Sequence, residues 1–319
     1  MPEAIGEVPV AFMRVVALVF GLVWGSFLNV VIYRAPRGRS VVHPPSTCPG
    51  CGALIRPYDN VPVVSWLLLR GRARCCRAKI SVRYPLVELM GGLLSVAILE
   101  VIVRALPGGT PVLRAAAIFL AYFTLILALV AAAFIDAEHM YLPDVITLGG
   151  TVLGVVTATL RGESLGGAVL GTAVGFVMVW LPFIVIYPRL RGRHGMGLGD
   201  AKLTMLAGAW FGWPAAFFVL MAAAIQGTIA AVVIYLTLGK IEEPEGVRAD
   251  REELQKAAAA GDAEAAQILA EDPLGEPPDG DSLGQSRLPF GPFLILAIFE
   301  QIFFGRWLAL ASQHWLGLS

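Results

Sequence analysis

The stretch LTMLAGAWFGWPAAFFVLMAAAIQGTIAAVVIYLTLG (Leu203–Gly239) contains no charged residue over 37 positions. An α-helix rises about 1.5 Å per residue, so one helix of this length would measure about 55 Å, whereas the hydrocarbon core of a bilayer is about 30 Å thick. Gly212 and Pro214 interrupt the run, and both residue types disfavour a continuous helix. The stretch therefore predicts two membrane-crossing helices, 201–212 and 215–238.

The rest of the chain repeats this pattern. Of its 319 residues, 57% are hydrophobic and 15% are charged, whereas soluble domains carry about 25% charged residues. Further apolar runs lie at 11–33, 86–106, 115–135, 145–160, 165–187 and 288–310. We expect three tryptophans to anchor helices at membrane interfaces: Trp210, Trp213 and Trp307. The composition excludes a soluble enzyme and predicts an all-α polytopic membrane protein with about eight transmembrane helices.

The charge distribution predicts the orientation in the membrane. The first loop, 34–84, carries ten Lys and Arg residues against one acid, Asp59, so the positive-inside rule places it in the cytoplasm. The residues before the first span include two acids and no base, which is the wrong charge for a signal peptide. Counting spans from this loop places the turn after residue 135 and the segment before residue 201 on the same cytoplasmic face.

Five segments follow from these patterns: a first transmembrane helix (1–33), a cysteine-rich cytoplasmic lobe (34–85), a membrane core (86–239), an acidic cytoplasmic insertion (240–287), and a last helix with the C-terminus (288–319). The insertion holds 13 acidic and 5 basic residues, a net charge of −8, while the rest of the chain carries +8. Its composition predicts a helix around 251–270 and a linker at GEPPDGDS, 275–282. The sequence assigns it no function.

All four cysteines lie in the first loop. Cys48 and Cys51 form a C-x-x-C knuckle, and Cys75 and Cys76 are adjacent. Thiolate ligation of Zn²⁺ is the natural interpretation in a reducing compartment, and it predicts a structural site. Neighbouring side chains usually diverge, so a three-cysteine site completed by His43 or water, and a loop of reduced thiols without metal, stay open as alternatives.

Three aspartates lie at the predicted cytoplasmic ends of spans. Asp136 ends an uncharged run, where a carboxylate is costly unless it is solvated or used. Asp144 follows Pro143, which suits the start of a helix. Asp200 ends the motif GMGLGD, in which Gly197 and Gly199 allow close backbone approach, although Asp200 could equally cap a helix. The G-x-G-x-G spacing does not match a dinucleotide-binding turn.

Asp136 and Asp200 are expected at the same membrane face on different helices. Two carboxylates that come close together share one proton, so that one can activate water while the other protonates a leaving group. This is the chemistry of an aspartic protease, and it depends on the two side chains meeting.

Five ordered blocks give the chain a family resemblance. It resembles the bacterial type IV prepilin peptidases, which are membrane aspartic proteases, in GSFLNVVIYRAPRG (25–38), in the cysteine loop with RYPLVE (48–88), in IDAEHMYLPD (135–144), in GMGLGDAKL (195–203) and in LPFGPFL (288–294). The resemblance implies that Asp136 and Asp200 are the catalytic pair, in a G-x-G-D motif similar to that of presenilin-type proteases. It implies that Asp144, Gly197 and Gly199 support them.

The resemblance also implies substrates and a cofactor. The substrates would be prepilins or pseudopilins of type IV pilus or type II secretion systems, cut at the cytoplasmic face of the bacterial inner membrane. The new N-terminal amine would then be methylated from S-adenosylmethionine, whose site the sequence does not locate. The partners are the precursor and the bilayer, with no nucleic acid.

Two alternatives remain beside this reading. In the family the second cysteine pair is normally C-x-x-C. Here Ala73 stands where the first cysteine of that pair would be, and Cys75 appears two positions later. The metal ligands would then be Cys48, Cys51, Cys75 and Cys76. An altered lobe raises the alternative of a peptidase that has lost methyl transfer. A proton-coupled transporter is the alternative from another class, and it predicts acids deep within spans and repeat symmetry between halves, neither of which the sequence contains.

Overall fold

A computed structural model describes residues 3–48, 50–191, 195–239, 243–271 and 288–316. Every regular element in these ranges is a helix, with isolated β-bridges in loops, which confirms the predicted all-α class. Five helices are long and apolar enough to cross a membrane: Val10–Arg34, Arg83–Val103, Val112–His139, Leu165–Arg191 and Trp213–Leu238. Asp144–Val156 and Gly291–Gly305 are shorter apolar segments, so the number of eight spans stays a prediction.

The chain divides into two compact units at Ala131 and Ala132, within the fourth helix. The first unit begins with a 3₁₀ turn at Ile5–Glu7 and the long helix α1, Val10–Arg34. A 3₁₀ turn at Pro57–Asp59 and the short helix α2, Val64–Leu68, lie in the loop that follows. The remaining elements are α3, Arg83–Ile98, its π-helical continuation Leu99–Val103, and most of α4, Val112–His139.

The second unit holds the end of α4 and all later helices. Apart from the insertion, its later helices are α5 (Asp144–Val156), α6 (Ala158–Arg161), α7 (Leu165–Val179), the π-helical Trp180–Ile186 with α8 (Tyr187–Arg191), α9 (Leu198–Phe211), α10 (Trp213–Leu238) and α13 (Gly291–Leu316). The acidic insertion forms α11 (Glu245–Ala259) and α12 (Ala263–Glu271), which fits the helix predicted there. Its linker at 275–282 lies outside the described residues.

Glycines allow the closest helix pairs in each unit. A Cβ added at Gly21 of α1 or at Gly91 of α3 would overlap the carbonyl oxygen of the other, and Gly171 of α7 and Gly208 of α9 stand in the same relation. Small residues let helices pack backbone to backbone where apolar side chains gain nothing by leaving lipid. The α7–α9 contact fixes the helix that carries Asp200.

The prediction that Trp210 anchors a helix at a membrane interface is wrong. It is 1% exposed in the core of the second unit, and its indole N–H donates to the carbonyl oxygen of Gly150 at 2.8 Å. Gly154 leaves space for the ring, so α9 packs against α5 through this side chain. Trp213 and Trp307 are exposed, as an interfacial position requires.

Candidate active site

Asp136 lies one turn before the end of α4 and is 5% exposed. The backbone N–H of Gly291, the first residue of α13, donates to its Oδ2 at 3.0 Å. The amide at a helix N-terminus is a favourable partner for a carboxylate because its N–H has no partner within the helix. The start of α13 therefore holds one oxygen of Asp136 in place.

Asp200 occupies the third position of α9 and is 9% exposed. Its Oδ2 accepts the N–H of Gly197 at 3.1 Å, the reciprocal half of a capping box. The predicted capping role is thus present, although Gly197 itself is the N-cap. Gly197 has an ordinary φ of −78°, so the motif does not need glycine for a left-handed backbone.

The side chain of Leu142 connects the surroundings of the two aspartates. Its Cδ1 would lie 3.0 Å from a Cβ at Gly199 and 3.3 Å from a Cβ at Gly291. The glycine before Asp200 and the glycine that binds Asp136 therefore pack on the same buried leucine. The surroundings of Asp136 and Asp200 thus adjoin each other, which the aspartic-protease hypothesis requires.

Asp144 takes a different position from the other two acids. It is the first residue of α5 after Pro143, as the sequence predicts, and its carboxylate is mostly exposed. Its Oδ1 pairs with Nζ of Lys202 at 2.5 Å, which joins the start of α5 to the residue two positions after Asp200 in α9. This contact helps to fix the orientation of the turn that carries Asp200.

The insertion packs beside the end of α4. A Cβ at Gly246 of α11 would overlap the carbonyl group of Glu138, and Nδ1 of His139 lies 2.8 Å from Oδ2 of Asp250. The acidic helix thus begins against residues two and three positions after Asp136. This contact could not be predicted from the sequence, because nothing in the spacing of 240–287 relates it to α4.

The four cysteines converge within the first unit. Their sulfur atoms all lie within 4.8 Å of one another, with Cys48 and Cys76 at 3.6 Å and Cys51 and Cys75 at 3.3 Å. Residues 74–76 form a turn, closed by the hydrogen bond from the N–H of Ala73 to the carbonyl of Ala78 at 2.8 Å. Adjacent side chains diverge in extended chain but not in such a turn, which is why Cys75 and Cys76 both face the knuckle.

This geometry fits a tetrahedral metal centre. Zn–S bonds of 2.3 Å in a tetrahedron require sulfur separations of about 3.8 Å. A backbone hydrogen bond from Gly50 lowers the pKa of the Cys48 thiol to about 7, whereas hydrogen bonds with Cys51 and Cys48 raise the pKa of Cys75, so Cys48 is the first of these two thiols to ionise. His43 is exposed and does not belong to the group of converging ligands found within the described residues.

Gly291 is the residue at the site that sequence reasoning missed. It stands in the block LPFGPFL, which contributed only to the resemblance, and no acid or base in it suggests chemistry. The dipeptide Gly291–Pro292 at the start of an apolar run was the available signal, since both residues favour a helix N-terminus. What that terminus faces could not be derived from the spacing.

Comparison with known proteins matches two family models in chain order. The bacterial peptidase A24 N-terminal domain matches residues 19–102, and the type IV leader peptidase family matches residues 123–232. The first match covers the cysteine lobe, and the second covers Asp136 and Asp200. No solved structure matches the chain.

Curated relatives share most of their length with this chain. A prepilin leader peptidase/N-methyltransferase of Myxococcus xanthus (strain DK1622) is 35% identical over 320 residues, covering 91% of this chain and 90% of the relative. Proteins of the same name from Neisseria gonorrhoeae and Aeromonas hydrophila are 37% and 39% identical over 70% and 68% of this chain, and over 83% and 79% of their own lengths. On this similarity, the chain is a multi-pass membrane protein that belongs to the type IV leader peptidase family.

Proposed function

We propose that this protein cleaves the leader peptide from type IV prepilins and pseudopilins with Asp136 and Asp200, and then methylates the new N-terminus. The observation that carries the peptidase half is a pair of buried carboxylates that each accept a glycine N–H, with Leu142 packed beside Gly199 and Gly291. The named activity of the relatives, prepilin leader peptidase/N-methyltransferase, supports both halves.

The buried pair suits the hydrolysis of a peptide bond. Two nearby carboxylates in a site of low polarity hold one proton between them. The ionised carboxylate takes a proton from water, which attacks the scissile carbonyl carbon, and the protonated one donates to the departing amine nitrogen. The two glycine amides keep one oxygen of each carboxylate fixed and leave the other for water or substrate.

Position at a helix end suits a substrate that enters from the membrane surface. Asp136 lies in the last turn of α4 and Asp200 in the first turn of α9. With the first loop in the cytoplasm, both acids lie at the cytoplasmic face of the inner membrane, where the leader of a precursor meets its apolar helix. A proton-coupled transporter would need acids nearer the middle of its spans.

The peptidase test replaces each acid singly. We expect Asp136→Asn and Asp200→Asn each to lower prepilin cleavage in membranes by at least about 1000-fold, because an amide cannot exchange the proton. Glu163→Gln, an exposed acid between α6 and α7, is the control and should cleave normally. Normal cleavage by either asparagine variant would exclude the aspartate pair.

Methyl transfer requires a site for S-adenosylmethionine, which supplies an electrophilic methyl group on a positively charged sulfur. Asn29 is 3% exposed, and its Oδ1 has no hydrogen-bond partner among the described residues. The buried carboxylate of Glu88 lies on the facing helix, where its Cα packs against Gly25, one turn before Asn29. These two acceptors fit a cationic donor or the amine that receives the methyl group.

Variants of Glu88 test this assignment. Glu88→Gln retains an acceptor for the N–H of Val63, which donates to the carboxylate at 2.7 Å, but it removes the charge. We expect both Glu88→Gln and Glu88→Ala to bind S-adenosylmethionine about tenfold more weakly or worse in equilibrium dialysis, with cleavage retained. Wild-type binding by Glu88→Gln would show that the carboxylate only supports the fold.

The cysteine cluster is proposed as a structural Zn²⁺ site with Cys48, Cys51, Cys75 and Cys76 as ligands. The separations of the sulfur atoms support four thiolate ligands better than three. A lobe of this size has little apolar core of its own, and a metal would stabilise it.

Mass spectrometry of the mature pilin N-terminus separates the bifunctional enzyme from a peptidase without methyl transfer, since only the former adds a methyl group.

A further inference from the structure

The short helix α2 and the turn after it expose apolar side chains that the fold does not use. Leu67 and Leu68 are 61% and 78% exposed, and Val64 is also exposed. Two large leucine side chains next to each other on the surface of a small lobe indicate an interaction surface rather than a packing position. We call Leu67, Leu68 and the residues of the adjoining cleft the arginine–leucine surface.

Arginines line the cleft beside these leucines. The cleft has a volume of about 460 Å³ and is lined by Leu68, Leu69, Arg70, Arg72, Arg74 and Arg77. Arg74 forms an ion pair with Asp59 at 2.8 Å, the one acid between residues 34 and 84. Within the described part of the chain no ion pair of Arg70, Arg72 or Arg77 is found, and all three are exposed.

The arginine–leucine surface is anchored at the edge of a membrane span. Glu88 accepts the N–H of Val63, the residue before α2, at 2.7 Å. Glu88 belongs to the span Arg83–Val103, only five residues from its start. The first turn of the same span accepts a second bond, from Nδ2 of Asn29 to the carbonyl of Tyr84 at 3.1 Å. The bond from Val63 ties the start of α2 to the first turns of this span, so we expect α2 near the membrane surface.

Anionic phospholipid is the partner that matches both parts of this surface. Guanidinium groups bind phosphate oxygens in a bidentate manner, and basic clusters next to a span are attracted to the negative cytoplasmic leaflet by about 1 kcal/mol per residue. A free anion would satisfy the arginines but would leave Leu67 and Leu68 in water. We propose that the arginine–leucine surface docks the cytoplasmic lobe onto anionic phospholipid headgroups, with the leucines at the acyl boundary.

The test uses the full-length protein in nanodiscs of phosphatidylcholine with increasing fractions of phosphatidylglycerol. Amide hydrogen exchange of residues 61–80 reports docking, and the fraction of phosphatidylglycerol at half protection reports affinity. We expect protection to rise with phosphatidylglycerol and to weaken with salt. Each arginine contributes about fivefold to docking, so we expect Arg70→Gln/Arg72→Gln to lower the docking equilibrium constant about 25-fold, measured from protection at one fraction of phosphatidylglycerol.

Arg37→Gln/Arg39→Gln is the matched control, because it removes the same charge from the same loop outside the cleft. It should dock like the unsubstituted protein. Equal exchange in both lipids, an equal effect of the control pair, or the same protection by soluble glycerol phosphate without phosphatidylglycerol would each overturn the proposal. Zinc content and prepilin cleavage measured alongside show whether the variant is folded, independently of docking.

Discussion

At the scale of single residues, the two aspartates are held by equivalent bonds from different sources. Gly197 binds Asp200 from three positions earlier in the same motif, whereas Gly291 binds Asp136 from 155 positions away. The local bond could be anticipated, since an aspartate in the first turn of a helix commonly caps it. The distant bond depends on where α13 begins in space, and no local pattern encodes that.

The Gly291→Ala substitution would displace the carboxylate of Asp136. An added Cβ would lie 2.6 Å from Oδ2 of Asp136, and the carboxylate, being the end of a side chain, would rotate away rather than unfold the helix. Because Asp136 is proposed to be catalytic, we expect its displacement to lower kcat for prepilin cleavage about 100-fold, with KM and thermal stability little changed.

Gly227→Ala provides the control for this substitution. Gly227 lies in α10 of the same unit, and a Cβ there would meet Phe293 at an ordinary 3.4 Å. Its activity should match that of the unsubstituted protein. Unchanged kcat in Gly291→Ala would mean that the amide of Gly291 does not position Asp136.

At the scale of helices, the acidic insertion is attached through α11 to the end of α4. Asp250 pairs with His139, and α11 approaches the backbone of Glu138 at Gly246. The helical composition of 251–270 predicted that a helix would form there, and α11 with α12 fits this prediction. The docking on α4 arises because glycine at 246 permits contact between backbones, which a search for charge or apolar periodicity does not detect.

Gly246→Val tests this attachment. The added side chain must displace α11 from the end of α4, at a cost of about 1–3 kcal/mol for an overpacked contact. We expect faster amide exchange across residues 245–259, measured by mass spectrometry on the full-length protein. Glu252→Gln, an exposed change on the same helix, should leave exchange as it was, and equal exchange in both variants would contradict the docking.

At the scale of the whole molecule, the chain consists of two compact units that divide within α4. The cysteine cluster, Asn29 and Glu88 belong to the first, and Asp136, Asp200 and Gly291 belong to the second. The match of two separate family models, over 19–102 and 123–232, follows the same order. The five segment boundaries derived from composition stay predictions.

Metal removal should affect the first unit before the second. We expect the purified protein to contain one zinc ion, and expect a chelator to raise amide exchange in residues 46–80 about 100-fold or more, because a structural site contributes folding free energy directly. Exchange around α9 and the start of α13 should change later. Cys51→Ser should reproduce the effect without a chelator, and a purified protein free of metal with the same exchange would refute the site.

The all-α membrane class could be predicted from the sequence, and Asp136, Asp200 and the four cysteines could be proposed as site residues, because apolar run length and residue chemistry are local properties. It was wrong about Trp210, since an interfacial tryptophan and a buried one have the same local context, and only the space beside Gly154 distinguishes them. Only the folded structure shows that Cys75 and Cys76 face one point, that α11 lies against α4, and that Leu142 packs beside both Gly199 and Gly291. Each of these depends on close approach between segments far apart in the chain, which packing and backbone hydrogen bonds fix and residue spacing does not.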